Sequence, residues 1–165
     1  MKAFRVSFVQ FQRGDELPTG HKPADLTADR QEVESVLESM RPRGKPQRTN
    51  ARYVFKDRDS ALSWAKGAVG RRVYEVEVEN VLHEGDWTWV GRIWKEGDAE
   101  ARKRMAEKYW KSELSEQPTV ELIVSKATVA KEDETITRSE QIGTVRAKFG
   151  MPDPDELFGK NNHNT

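Results

Sequence analysis

No cysteine occurs in the 165 residues, which excludes a disulfide framework and a thiolate metal site and favours a reducing compartment. Histidine is scarce as well. His21, His83 and His163 lie far apart, none with a second ligand at metal spacing, so no metal site is expected; "HEGD" at 83–86 comes nearest. No sign of charge prevails, because 28 lysines and arginines cancel 28 aspartates and glutamates. That balance does not favour a polycation built for nucleic acid. No apolar run is long enough to span a membrane, and the opening "MKAFRVSFVQFQRG" has neither an adequate apolar core nor a small-residue cleavage site. A cytoplasmic protein with no membrane partner is the expectation. Walker, GxGxxG and GxSxG signatures are missing too, which removes the common phosphate-cradling and hydrolase readings, and there is no internal repeat.

What is present is a very polar chain, 34% charged, with a mean hydropathy of -0.87. Its length suits one domain over 1–150 with a real core. The remainder, "MPDPDELFGKNNHNT" at 151–165, has too few apolar residues to bury and is expected to be a mobile polar tail.

The element pattern is mixed. "AFRVSFV" alternates as a first strand with Arg5 and Ser7 on one face, and Val33, Val36, Leu37 and Met40 have the spacing of a helix that stops near Pro42 and Gly44. "RPRGKPQRTNAR" at 41–52 is basic without interleaved aromatics, and reads as a solvated loop in preference to a nucleic-acid patch. A short strand "RYVF" leads to a helix with Asp57 or Asp59 as N-cap, Ala61, Leu62, Trp64, Ala65 and Ala68 in its interior and Gly70 as its stop. "RRVYEVEVENV" is the clearest strand: Tyr74, Val76 and Val78 face one way, and Glu75, Glu77 and Glu79 face solvent. The segment "HEGDWTWVGRIW" reads as a loop holding Trp87, Trp89 and Trp94, followed by a helix that turns Ala101, Met105, Tyr109 and Trp110 inward. In "PTVELIVSKATV", Val120, Leu122 and Val124 share one face while Glu121 falls on the other. Taken by itself, Glu121 suits the solvated side of a half-buried strand. The residues "ATVAKEDETITRSEQIGTVRAKF" supply one or two further edge strands.

The order of these pieces, "FRVS", "RYVFKDRDSALSWA", "VYEVEV" and "TVELIVSKATV", resembles the ADP-ribosyltransferase superfamily. "RGDELPTG", "YVFKDRDSALSWA" and "RVYEVEVE" look most like the small bacterial rifampin ADP-ribosyltransferases and related bacterial and phage proteins. The likeness spans roughly residues 3 to 130. It implies an α+β fold of two small, mostly antiparallel sheets flanked by a few helices, with an NAD cleft between the sheets. The implied activity is transfer of ADP-ribose from NAD, the co-substrate, to an acceptor that is a protein, a nucleic acid or a small molecule. By the same resemblance Arg5 and Tyr53 contact the cofactor, joined by Ser7 on the first strand and by Trp64 on the Ala/Trp helix, and Glu121 is the catalytic carboxylate. In the rifampin enzymes a His-Tyr-Asp pattern holds, and their acidic residue would fall near Glu84 or Asp86, so three carboxylates compete for the role. Thr119 stands two residues before Glu121, where the arginine-modifying branch has Glu or Gln. The alternative is a catalytically silent relative, possibly phage-encoded, that binds a host protein or a nucleotide.

These residue types suit the chemistry. Cleavage between nicotinamide and ribose develops oxocarbenium character that a fixed carboxylate stabilises, a guanidinium suits phosphate or ribose oxygens, and an aromatic ring stacks on nicotinamide.

Overall fold

The computed structural model of the chain describes residues 1–20 and 26–150. The expected tail at 151–165, with His21 and His163, lies outside the described residues. The elements are β1 (Lys2–Ser7), α1 (Ala28–Ser39), a 3-10 turn (Arg48–Asn50), β2 (Arg52–Phe55), α2 (Arg58–Lys66), β3 (Arg72–Asp86), α3 (Trp87–Lys95), α4 (Ala99–Trp110), β4 (Val120–Asp133) and α5 (Arg138–Lys148).

The chain is α+β, as its pattern predicts, but its described strands form one antiparallel sheet and not two. The order β1-β2-β4-β3 closes into a barrel because β1 pairs with β3 as well as with β2. Strands β3 and β4, 15 and 14 residues long, pair along most of their length. Register shifts at Glu75/Val76 and Val81/His83 mark irregularities of the kind that bend and twist a ladder. The two sheets, with a cleft between them, are what the resemblance implies, and the single closed sheet replaces them; alternation along a strand does not encode closure.

The barrel interior holds Ala3, Val54, Tyr74, Val76, Val78, Leu122 and Val124, so the apolar faces read from the two clearest strands point inward. On the opposite face Glu77 and Glu79 are exposed, while Glu75 is half-buried between Lys2 at 2.8 Å and Lys131 at 3.5 Å. Two helical layers cover the outside. Helix α2 packs on β1 and β3 through Ala61, Ala65 and Val73, and its N-cap is Asp57, whose side chain accepts from Ser60 N at 2.7 Å. Helices α1, α3 and α4 share a second core of Val33, Leu37, Trp89, Val90, Ile93, Ala106, Tyr109 and Trp110.

Two further expectations are corrected. The segment 83–94 is no loop: β3 runs to Asp86, which caps α3, and Trp89, Val90 and Ile93 form that helix's buried face. The region after residue 130 does not give edge strands beyond the end of β4. It forms α5, started by a capping box between Thr137 and Glu140 and docked by Gln141, which bonds to Ala65 O and Arg71 O. Among the described residues no helix is long and apolar enough to cross a membrane.

Candidate functional site

A cleft of about 430 Å³ is walled by β1, β2 and β4 on one side and by α1, α2 and α3 on the other. The β1–β2 seam pairs at Phe4↔Phe55, and the neighbouring carbonyl of Tyr53 accepts from Arg5 Nη1 at 2.8 Å. Arg5 thereby satisfies a carbonyl next to that single register pair.

Glu121 sits on β4 opposite Phe55 of β2 and Gly85 of β3, on the face away from the barrel interior. That face is not solvated. Glu121 is 6% exposed and lines the cleft, because Tyr109 from α4 and Arg48 from the 3-10 turn cover it. Its Oε1 accepts from the Tyr109 hydroxyl at 2.6 Å and from Arg48 Nη1, which also donates to the Tyr109 hydroxyl oxygen. No hydrogen bond to its Oε2 is found among the described residues, and Glu121 lines the cleft.

Arg48, 3% exposed, is the hub. Its Nε donates to Glu34 Oε2 at 2.8 Å, and Arg30 on α1 donates to Glu34 Oε1 at 2.7 Å one helical turn away. Burial acts to lower the Arg48 guanidinium, but the carboxylates of Glu121 and Glu34 outweigh it and hold the group well above its ordinary value. Burial likewise acts to raise Glu34, and Arg48 and Arg30 overcome it and leave the carboxyl below the usual range. The two tyrosines go the other way: burial lifts both Tyr53 and Tyr109, with Arg48 opposing and Glu121 adding to the rise. The phenols are therefore neutral donors across the ordinary pH range.

Aromatic rings make the rest of the wall. Arg48 lies 4.9 Å over the Tyr53 ring, and the Tyr53 hydroxyl donates to the Arg48 carbonyl. Arg30 lies 4.5 Å over Trp87, and Trp87 meets Trp64 edge-on at 5.7 Å. Trp64 is 39% exposed and Trp94 45%, so neither occupies a helix interior, and both line the cleft.

Of the residues singled out from the sequence, Arg5, Tyr53, Trp64 and Glu121 come together on this cleft. Ser7 does not: its hydroxyl accepts from Val9 N at 3.0 Å. Glu84 is paired with Lys56 at 2.7 Å and lies off the cleft. Asp86 is fully buried and caps α3, accepting from Thr88 N at 2.9 Å, Ser115 N at 2.8 Å and Thr119 N at 3.0 Å. Burial acts to raise its carboxyl, and these bonds more than reverse that. Trp87 and Trp94 line the cleft, whereas Trp89 is packed in the helical core with its indole N–H on Glu113 O at 2.7 Å.

The residues missed are Arg48, Glu34 and Arg30. Arg48 belongs to the basic stretch read as a solvated loop, and nothing in its spacing separates it from the exposed Arg43. Glu34 and Arg30 do carry a signal, the i,i+4 spacing of an ion pair on α1. Among the described residues no group of three or more His, Asp or Glu side chains is arranged to hold a metal ion.

No curated protein matches the chain. A family described as "Protein of unknown function (DUF2441)" matches residues 26–136, a span that contains Arg30, Glu34, Arg48, Tyr53, Trp64, Trp87 and Glu121 but not Arg5. That match covers more than half of the chain, which therefore belongs to the DUF2441 family.

Proposed function

We propose that this protein transfers ADP-ribose from NAD to an acceptor, with Glu121 as the carboxylate that stabilises the transition state. The observation that carries the reading is convergence. An arginine from β1, a tyrosine from β2 and a carboxylate from β4, the three positions implied by the ADP-ribosyltransferase resemblance, line one cleft, while Glu84 and Asp86 lie off it. An α+β chain with these three residues on neighbouring strands supports an ADP-ribosyltransferase-like scaffold.

In the proposed reaction the bond between ribose C1′ and the nicotinamide nitrogen breaks, and its electron pair leaves with nicotinamide, which departs neutral. Positive charge develops at C1′ and the ring oxygen. Glu121 Oε2, which takes no hydrogen bond among the described residues and is held through its partner oxygen, offers the compensating negative charge from a rigid strand. The acceptor then bonds to C1′ and loses its proton to solvent. Arg5 and Arg30 supply fixed positive charge for the pyrophosphate, and Tyr53, Trp64 and Trp87 supply planar faces for the rings.

The test is nicotinamide release from NAD, with water standing in for the unknown acceptor. Wild-type protein is expected to release nicotinamide, and NAD is expected to change the fluorescence of the cleft tryptophans in a saturable way. A saturable change with no release, from purified protein and in a lysate that supplies acceptors, would support a second reading. In that reading the protein is a nucleotide binder whose Glu121 is a structural partner of Arg48, as its bonds to Arg48 and Tyr109 also allow. Neither signal would sink both.

A further inference from the structure

We propose that Arg48 is the positioning residue for Glu121 and that Glu34 in turn sets Arg48, so that one oxygen of the Glu121 carboxylate is clamped and the other is presented to the ligand. The proposal rests on the ADP-ribosyl transfer reading. Four charges alternate along the cleft wall, Arg30, Glu34, Arg48 and Glu121, each paired with the next. They come from three separate elements, α1, the 3-10 turn and β4, so the chain of pairs exists only in the assembled fold.

A guanidinium is a planar fork, and Arg48 uses two of its edges. Nε and Nη2 reach Glu34 at 2.8 and 3.4 Å, while Nη1 reaches Glu121 Oε1 and the Tyr109 hydroxyl. The plane cannot rotate to follow Glu121 without breaking its bonds to Glu34, so the carboxylate cannot swing on its long stem. Tyr109 adds a second bond to Oε1 from α4 at 2.6 Å, so among the described residues Oε2 is the oxygen without a hydrogen bond. The same arginine fixes the neighbouring aromatic wall, because its carbonyl accepts the Tyr53 hydroxyl and its guanidinium covers the Tyr53 ring at 4.9 Å.

Electrostatics explains why Glu34 belongs to the unit. A lone guanidinium on Oε1 would offset the negative charge that Glu121 has to offer a developing cation. Glu34 takes up the guanidinium charge from its far side, and Arg30 closes the series over the Trp87 ring. Lysine at 48 would keep the charge but has a single nitrogen in place of the fork, so it cannot hold both carboxylates in one plane.

The experiment measures kcat and KM for nicotinamide release, with the folded fraction followed by circular dichroism, for wild type, Arg48→Lys, Arg48→Ala and Glu34→Gln. For Arg48→Lys the expected result is a fall in kcat of about 10²-fold with KM for NAD held within a few-fold, as expected for a misplaced group that acts through the reacting carboxylate. Glu34→Gln is expected to lower kcat by less, and Arg48→Ala to regain part of its rate with millimolar guanidinium in a saturable manner. Arg48→Lys with wild-type kcat per folded molecule overturns the positioning role alone. So does a loss that only tracks the folded fraction, with no rescue by guanidinium in any variant that folds. A wild type that releases no nicotinamide, purified or in a lysate that supplies acceptors, overturns the transfer reading, and the positioning role with it.

Discussion

Asp86 and Glu121 lie one register step apart on paired strands, since Gly85 faces Glu121 and Asp86 faces Val120, and both are buried. Their partners differ in kind. Asp86 spends both carboxylate oxygens on backbone N–H groups of Thr88, Ser115 and Thr119. Glu121 is held through one oxygen by two side chains and lines a cleft, its other oxygen without a hydrogen bond among the described residues. A carboxylate saturated by backbone donors caps a helix and ties down a loop, whereas one held from behind by side chains is available for chemistry. Burial alone does not distinguish them.

The sharpest way to break this comparison is to remove the charge from each in turn. Glu121→Gln is expected to lower nicotinamide release by about 10²-fold, roughly 2.7 kcal/mol of transition-state stabilisation, while NAD affinity measured by fluorescence stays within a few-fold. Asp86→Asn is expected to leave release per folded molecule unchanged. The reverse pattern, with Asp86→Asn inactive and Glu121→Gln active, would move the proposed catalytic role from Glu121 to Asp86.

Asp86→Asn also sharpens the comparison on stability. In Asp86→Asn one oxygen becomes an amide N–H₂ facing backbone donors, and a cost of about 2–3 kcal/mol is expected in urea unfolding. A cost under about 0.5 kcal/mol would show that these bonds do little for the fold.

Gly85 pairs with Glu121 and precedes Asp86, and it probes the Tyr109 ring that holds Glu121. A Cβ there would come within 2.3 Å of the Tyr109 ring, a buried side chain with no free end to yield, so Gly85→Ala must displace the hydroxyl that holds Glu121. The expected result is a loss of about 1–2 kcal/mol from overpacking, together with a fall in kcat larger than in KM. An alanine variant with wild-type kcat would show that Tyr109 is dispensable for holding Glu121.

How much of this was legible follows from which interactions are local. The inward faces of β3 and β4 were readable because period-two alternation reports the pleat directly: Tyr74, Val76, Val78, Leu122 and Val124 are all in the barrel core. Helix α2 was readable from its cap, Asp57, but not from its stop, since it ends at Lys66 with Gly67 as C-cap, before Ala68 and Gly70; the strand positions of Arg5, Tyr53 and Glu121 were readable too. The cover over Glu121 was not. It comes from Tyr109 and Arg48, 12 and 73 residues away in sequence, and an arginine enclosed by two carboxylates is written with the same letter as one in solvent. The tryptophan segment misled for a related reason, since three tryptophans beside "HEGD" look like a loop until Asp86 is seen to cap the helix that carries them.

The smallest expected effect concerns His83, which packs behind the site against Tyr109 and Trp110 with ring centroids 5.1 and 4.8 Å away. Its Nδ1 lies 3.3 Å from Lys45 Nζ and its Nε2 lies 3.2 Å from the Tyr109 carbonyl oxygen. An ammonium only donates and a carbonyl only accepts, so the ring is the neutral tautomer, accepting at Nδ1 and donating from Nε2. Burial, helped by the positive charge of Lys45, lowers the His83 pKa from 6.5 to about 4. Between those two values the unfolded chain binds a proton that the folded chain refuses. Stability is therefore whole above about pH 6.5 and declines as pH falls toward 4. Urea midpoints taken at about pH 7 and about pH 5 should drop more for wild type than for His83→Gln, whose side chain keeps an acceptor and a donor without titrating. Equal drops in the two proteins would mean that Lys45 and the aromatic rings do not hold the imidazole neutral, and that the wall behind Tyr109 is wetter than its packing indicates.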